Sequence, residues 1–284
     1  MPDRRPGQPA ALPRPAGYDR HEYELLARYF RSGWNEVFAK FDRIPGGKTD
    51  TNNHGAVSTD FIGRNHAWPG ASYAEREKIF QAHVTYQQGL QWFLSHDEAV
   101  PAAIREAYNQ WSLPKDEFVE TGGWPHALYI REARRMVSDY VMAERNCRGL
   151  ARAEDPVGLG AYGMDSHNCR RILLDGRLWN EGDVQAAGFP PYGISWRSLI
   201  PRRGECPNLI VPVCVSASHI AFGSIRMEPV FMVLGQSAAI AASLALSENC
   251  AVQDLPYTAL REQLLRAGQV LQVAGAAARA NEIV

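Results

Sequence analysis

The chain has 284 residues, 45% of them hydrophobic and 21% charged, and its formal net charge at pH 7 is -1. This length is enough for one large domain or two ordinary domains, each with a buried core. The near balance of acidic and basic residues argues against nucleic acid or an anionic membrane as the partner, so we expect small-molecule or protein partners.

The first part of the chain, residues 1–20, is rich in proline and glycine and is predicted to be extended or disordered. It has no apolar stretch of the kind that a secretory signal needs. The five cysteines include no C-x-x-C pair, which argues against a disulfide framework or a zinc site. These features predict a cytoplasmic protein with reduced thiols and no bound metal.

Residues 21–115 have helical periodicity. Apolar residues recur at i, i+3 and i+4 from 21 to 34 and predict an amphipathic helix. A second helix is predicted to begin after Ser72, because Ser72 and Glu75 match the capping box. The residues predicted to face the core in that helix are Ile79, Phe80, Val84, Leu90 and Phe93.

A third helix is predicted over residues 127–142, ALYIREARRMVSDYVM. Its arginines could form an anion site. Ion pairs with Glu132 and Asp139 on a solvated helix face explain them better.

Residues 158–163, GLGAYG, match the G-x-G-x-x-G pattern of dinucleotide-binding turns. That pattern binds a pyrophosphate only where a buried strand leads into it and an apolar helix leads out of it. Here a charged segment precedes the match and the polar run MDSHN follows it. We therefore interpret these residues as a glycine-rich bend between a loop and a strand.

After this bend the periodicity changes to that of strands. Asp175-Gly176, between RRILL and RLWNEGDVQ, predicts a β-hairpin with a type I′ turn. Residues 192–200 predict a half-buried strand, and residues 209–215, LIVPVCV, predict a strand buried on both faces.

Residues 229–246 are apolar on all sides and about as long as the shortest membrane span. A helix of this kind is also typical of the centre of a large soluble core, which is the interpretation that we favour. A last amphipathic helix is predicted over residues 258–268, with a glycine at its end.

The run over residues 216–236 is the strongest candidate for a site. A predicted strand ends in small polar residues, presents His219, and leads into the long helix behind Arg226 and Glu228. A helix N-terminus has unpaired N–H groups and a positive dipole end. Such a place can stabilise negative charge on a ligand, as reduced flavin requires. The alternative is that His219 and Arg226 only satisfy loop carbonyls.

Several segments resemble one known family. They are REARRMVSDYVM, GLGAYGMDSH, NEGDVQ, PGGKTDTNNHGAVSTDF and the run from SWRSLI to GQSAA. Together they resemble the C-terminal half of the bacterial FAD-dependent oxidoreductases, some of which carry a xanthan-lyase-like label. The resemblance covers about residues 12–271.

The resemblance implies an α/β chain with a partial FAD-binding, glutathione-reductase-like flavoprotein fold and a mixed α+β substrate domain. The implied substrate or cap domain spans residues 21–205, helical at first and then rich in strands. The closing strand and helices of the FAD-binding domain would span residues 206–270, and residues 271–284 would form a flexible tail.

The resemblance also implies roles for individual residues. Those that would contact FAD are Ser216, Ser218, Arg226, Met227, Glu228, Gly235 and Gln236. Hydride would pass between a small organic substrate and flavin N5. The groups that would handle the proton or orient the substrate are His219 and the polar residues Lys48, Asp50, Asn52 and Asn53 of the substrate-side segment.

One departure from the family is large. Complete members begin with a strand, a G-x-G-x-x-G turn and a helix that hold the ADP half of FAD, and this chain has no such opening. We therefore expect either that Met1 is an internal start or that a second chain carries the N-terminal FAD-binding half. Two alternatives stay open, namely a non-catalytic remnant or binding module and a polysaccharide-lyase-like protein.

Overall fold

The computed structural model describes residues 3–4 and 12–272 of the chain. The predictions of an extended or disordered segment at residues 1–20 and of a flexible tail at 271–284 fall partly outside these residues. The described helices are α1 (Glu24–Arg31), α2 (Tyr73–His96), α3 (Ala102–Tyr108), α4 (Glu144–Cys147), α5 (His219–Ile225), α6 (Glu228–Ser247) and α7 (Tyr257–Arg266).

The strands are short and mostly antiparallel. They are β1 (Asp3–Arg4), β2 (Phe41–Ile44), β3 (Lys48–Thr51), β4 (Trp111–Ser112), β5 (Pro156–Gly160), β6 (Met164–Ser166), β7 (Arg170–Leu174), β8 (Arg177–Glu181), β9 (Val184–Ala186) and β10 (Tyr192–Ser195). The mixture of helices and strands is consistent with the predicted α/β class.

The chain forms two compact units. One comprises Met1–Ile130 and His167–Gly182, and the other comprises Arg131–Ser166 and Asp183–Val284. We call them unit 1 and unit 2 and describe each by itself. The boundary predicted at residue 205 separates the implied substrate domain from the closing part of the FAD-binding domain. That boundary stays a prediction.

Unit 1 has a core between α1, α2 and α3, and it also contains a four-stranded sheet of order β2-β3-β1-β4 and the β7–β8 hairpin. The capping box predicted at the start of α2 is confirmed, because Ser72 Oγ accepts from the Glu75 N–H and the Glu75 carboxylate accepts from the Ser72 N–H. The hairpin turn is also confirmed: Asp175 and Gly176 have φ of 51° and 71°, as a type I′ turn requires.

The core of unit 1 depends on a close contact between α2 and Tyr23. The Tyr23 hydroxyl donates to the Tyr86 carbonyl at 2.8 Å, and its ring stacks on Phe93 with centroids 5.3 Å apart. A Cβ added at Gly89 would lie 2.2 Å from the Tyr23 hydroxyl oxygen. Only glycine therefore fits at this point of the helix.

Unit 2 is built on α6 and the strand β5. Ser237 of α6 donates to the Val157 carbonyl at 2.5 Å. A Cβ at Gly158 would lie 2.6 Å from Val233, so the glycine allows the strand to approach the helix. The pairs β5–β10 and β6–β9 and the helices α5 and α7 complete this core.

The bend predicted at GLGAYG is wrong in part, because Gly158 and Gly160 lie inside β5. After β5 the chain turns into β6, and no helix follows it directly. The glycines serve contacts of this strand: a Cβ at Gly160 would lie 2.8 Å from the Tyr192 ring. The dinucleotide-binding pattern therefore has the wrong local structure for its usual role.

Two predicted elements of unit 2 are wrong. Residues 127–142 form no helix, and residues 209–215 form no strand. Instead the two regions meet as extended chains, where the Met142 N–H donates to the Ser216 carbonyl at 2.9 Å and the Ser218 N–H donates to the Met142 carbonyl at 2.8 Å. This long-range pairing overrides local helix propensity. Pro212 has no N–H to donate and interrupts the expected strand.

The helix α6, for which the sequence favours a place in a soluble core over a membrane span, contributes one face to the core of unit 2 and exposes the other. Small residues such as Ala241 and Ala245 are buried, but Met232 and Leu246 are 73% and 82% exposed. Of the described helices, α6 is long and apolar enough to cross a membrane, with a mean hydropathy of 1.8 and 28% of that window buried. Length and composition alone are weak evidence for a span, since core helices of soluble proteins share them.

The contact at Gly89 yields a matched pair of substitutions. Gly89→Ala should lower the free energy of unfolding by about 1–3 kcal/mol, because the buried Tyr23 cannot move away from the new methyl group. Gly235→Ala, on α6, is the control, because no atom lies within 4 Å of its added Cβ. It should be neutral or stabilising by up to about 1 kcal/mol. Urea denaturation of both variants checks this, and an equal loss in the two would contradict the close contact.

Candidate functional site

The most distinctive polar arrangement of unit 2 surrounds His219, the first residue of α5. Ser218 caps this helix, and its Oγ accepts from the Ala221 N–H at 3.3 Å. The two ring nitrogens of His219 face different partners: Nδ1 lies 2.8 Å from Glu132 Oε2, and Nε2 lies 3.3 Å from Ser166 Oγ. The side chain of His219 is 50% exposed, so the ring can also reach solvent.

Glu132 is fixed by a second contact. Its Oε2 accepts from Arg135 Nη1 at 2.6 Å, and Arg135 Nε donates to the Ala217 carbonyl at 3.1 Å. The guanidinium lies over the ring of Phe222, 5.2 Å from its centroid, which is within the distance of a cation–π contact. Arg135 therefore holds the carboxylate beside the imidazole.

This arrangement gives the imidazole a defined protonation pattern. A carboxylate at Nδ1 stabilises the tautomer with its proton on Nδ1, and Nε2 is then the nitrogen that accepts a proton. A histidine that is exposed and oriented in this way can act as a general base. The sequence identified His219 but not Glu132 or Ser166, because a helix was predicted around Glu132 and no motif links the three positions.

Ser216 and Arg226, two of the predicted FAD contacts, are buried. Ser216 Oγ accepts from the Ser138 N–H at 3.0 Å. Arg226 is 5% exposed, and its Nη2 donates to Asp165 Oδ2 at 2.6 Å and to the Asp165 carbonyl at 3.4 Å. In the described part of the chain the Arg226 Nε has no hydrogen-bond partner. The guanidinium thus joins the end of α5 to β6.

The remaining predicted FAD contacts of unit 2 lie around the first half of α6. Met227 is the N-cap and is half-buried, whereas Glu228 and Gln236 are exposed. Gly235 has open space on its Cβ side. These positions share an open helix face with Met232, whereas Ser218 belongs to the start of α5.

In unit 1 the structure places Lys48, Asp50 and Asn53 on β3 and in the loop that follows it. Lys48 is buried, and its Nζ donates to Glu117 Oε1 at 2.5 Å and to Asp116 Oδ2 at 2.9 Å. These two carboxylates, Glu117 first, raise the pKa of the Lys48 ammonium. Lys48 is therefore a fixed cation and a poor proton acceptor near neutral pH.

The segment after β3 borders a small pocket in unit 1. Asn52 and His54 supply polar groups, and Trp34, Phe41 and Tyr108 are among the aromatic residues that line it. Its volume is about 40 Å³, which is room for a few water molecules. The Asn53 N–H donates to Asn52 Oδ1 at 2.8 Å, which fixes the loop at the pocket edge. The pocket is too small in this conformation for a ring system such as flavin.

No cluster of three or more histidine, cysteine or acidic side chains suited to a metal occurs among the described residues. All five cysteines lie in this part of the chain, and none is paired.

Comparison with known proteins gives one match. A family model described as FAD dependent oxidoreductase matches residues 2–264, which is most of the chain. No curated protein and no solved structure matches the chain.

The cofactor of that family is FAD, and the predicted contacts fit it unequally. The unpartnered Arg226 Nε is a donor that a flavin carbonyl could satisfy, but the atom is buried and no outside group reaches it without a shift of the side chain. Gly235 leaves room for a close approach, and the exposed Gln236 offers an amide. The open face of α6 therefore suits the cofactor better than Ser216 or Arg226 does. The direct contacts stay predictions.

The Arg226–Asp165 ion pair gives a stability prediction. Arg226→Met should lower the free energy of unfolding by about 2–3 kcal/mol, less than the full cost of breaking a buried pair because Asp165 is 22% exposed. The control is Arg266→Met on α7, which removes an exposed i,i+4 pair with Glu262 and should cost less than about 0.5 kcal/mol. Chemical denaturation measures both, and equal effects would show that the Arg226 pair contributes no more than a surface pair.

Proposed function

We propose, on the premise that this chain belongs to the FAD dependent oxidoreductase family, that it takes part in hydride transfer between a small organic substrate and FAD. The match over residues 2–264 is the observation that carries this proposal. FAD, when bound, supplies the hydride acceptor, and the protein supplies binding, orientation and proton transfer. The proposal specifies the substrate only as a small organic molecule.

His219 is the residue that accepts the substrate proton. Its support is the Glu132 carboxylate 2.8 Å from Nδ1, which leaves Nε2 as the accepting nitrogen, together with the exposure of the ring. Lys48 does not suit this task, because two carboxylates hold it as a cation.

Asp50, Asn52 and Asn53 of unit 1 are the alternative to His219 as the groups that hydrogen-bond a substrate. They lie on β3 and in the loop that follows it, and Asn52 lines the pocket of unit 1. Lys48 acts on this loop indirectly, since its ion pairs fix the start of β3. This assignment rests on position and residue type.

The exposed apolar face of α6 supports the proposal that a protein partner binds there. Met232 and Leu246 on this face are far more exposed than is usual for large apolar side chains of a stable core. A protein segment that carries the dinucleotide-binding half, on this or a second chain, would cover this face and bring the cofactor to Gly235 and Gln236.

The central experiment tests the cofactor and the base together. The purified full chain is titrated with FAD, flavin fluorescence measures binding, and anaerobic addition of candidate alcohols, amines and acids tests bleaching of the oxidised flavin band. His219→Gln should bind FAD as the parent does but slow bleaching by about 10²–10⁴-fold, because a general base is lost. The control is His96→Gln, an exposed histidine at the end of α2 in unit 1.

The outcomes separate the candidate functions. Unchanged bleaching in His219→Gln would remove His219 from the reaction. A chain that binds no FAD, even with a dinucleotide-binding partner present, would favour a non-catalytic binding module. An unsaturated sugar product formed from a polysaccharide without flavin would favour the lyase alternative.

A further inference from the structure

We propose that Ser166, His219 and Glu132 form a proton relay, and that the substrates of this site are alcohols or amines that lose an O–H or N–H proton. The substrate class rests on the proposed function. The relay itself is inferred from the hydrogen-bond geometry of the three residues. All three residues belong to unit 2, and 53 residues separate Ser166 from His219 while 87 separate His219 from Glu132. No local sequence motif therefore links the three residues.

The order of contacts sets the direction of proton movement. The Glu132 carboxylate can only accept, so the imidazole proton lies on Nδ1 and is donated to Oε2 at 2.8 Å. Nε2 is then left as an acceptor, 3.3 Å from Ser166 Oγ. A serine hydroxyl both donates and accepts, so Ser166 can pass on its own proton while it takes another.

The burial of the three groups suits a relay that opens to solvent. Glu132 has 21% of its side chain exposed, His219 is 50% exposed, and Ser166 is half-buried. Arg135 shares the Glu132 carboxylate, and Asp165, beside Ser166 on β6, is engaged by Arg226. The charged groups around the imidazole are thus paired, and Glu132 is the one that faces it directly.

The reaction step balances as follows for an alcohol. The substrate O–H proton passes to Ser166 Oγ as the hydroxyl proton of Ser166 passes to His219 Nε2. With FAD bound, the carbon that carries this oxygen would lose a hydride, with both electrons of its C–H bond, to the flavin, and the electron pair of the broken O–H bond would complete the C=O bond. The imidazolium is stabilised by Glu132 and returns its proton to solvent.

The same order of contacts occurs in serine hydrolases, where the serine is a nucleophile. Two observations favour the relay. Ser166 is the last residue of a strand that pairs with β9, and the chain continues into β7, so it does not lie on a strand-to-helix elbow of the α/β-hydrolase kind. The family of the chain is also that of oxidoreductases.

The test measures the imidazole itself in the full chain, without substrate. Nitrogen-detected NMR should show the His219 proton on Nδ1, and Glu132→Gln should move the population toward the tautomer with the proton on Nε2, because the carboxylate that accepts from Nδ1 is removed. Glu132→Asp should restore part of the Nδ1–H population. The control is Glu144→Gln, which removes a carboxylate paired with Arg148 on the surface of unit 2 and should leave the His219 tautomer unchanged.

The second readout is anaerobic reduction of bound FAD by alcohols and amines. Ser166→Ala should slow it by about 10-fold or more with FAD binding unchanged, and the parent should show a solvent isotope effect that the variant loses. A Glu132→Gln variant with an unchanged His219 tautomer overturns the relay whatever the flavin chemistry. Covalent labelling of Ser166 by a fluorophosphonate also overturns it, because the serine is then a nucleophile.

Failure of the proposed function gives a different pattern. If the His219 tautomer depends on Glu132 but no alcohol or amine reduces bound flavin, the coupled pair stands, while the oxidoreductase proposal and the substrate class both fall. If flavin is reduced equally fast by the parent and by Ser166→Ala, the oxidoreductase proposal stands and the relay falls.

Discussion

The candidate site depends on the pairing of two extended segments, residues 136–142 and 214–218. Backbone hydrogen bonds join Met136 to Cys214 and Met142 to Ser216 and Ser218. This pairing brings the chain just before it, with Glu132, to the start of α5, where His219 lies. Neither segment has a regular element of its own, so the position of the carboxylate at the imidazole is a consequence of tertiary hydrogen bonding rather than of a local motif.

This dependence explains which features the sequence predicts well. The capped start of α2 and the type I′ turn at Asp175-Gly176 are set by residues within four positions of one another, and both are confirmed. The helix predicted over 127–142 fails, because its backbone groups find partners about 75 residues away. The strand predicted over 209–215 fails, because Pro212 cannot donate to a ladder. The long-range pairing also explains why Glu132 and Ser166 were not predicted beside His219, whose own segment is distinctive in sequence.

Arg226 shows how burial changes the interpretation of a charge. As a sequence feature, an arginine before a long apolar helix suggests an electrostatic role toward a ligand. In the structure its Nη2 is occupied by Asp165, and its side chain is 5% exposed. A buried, paired charge contributes mainly to the folded arrangement around it, since removal of one partner leaves the other uncompensated. The exposed His219 is the better candidate for chemistry, because half of its side chain is open to solvent and within reach of a substrate.

The two faces of α6 differ in their contacts, and this difference limits what can cover the exposed face. Its inner face is tied to unit 2 by polar contacts: Ser237 donates to the Val157 carbonyl, and Gln269 Nε2 lies within 3.0 Å of the Val233 carbonyl and of Ser237 Oγ. A helix that crossed a membrane would have to give up these hydrogen bonds and leave polar groups without partners in hydrocarbon, at a cost of several kcal/mol for each group. A protein surface can cover Met232 and Leu246 while the inner contacts remain intact. The proposed protein partner is compatible with these inner contacts, and Gly235 leaves open space on the exposed face.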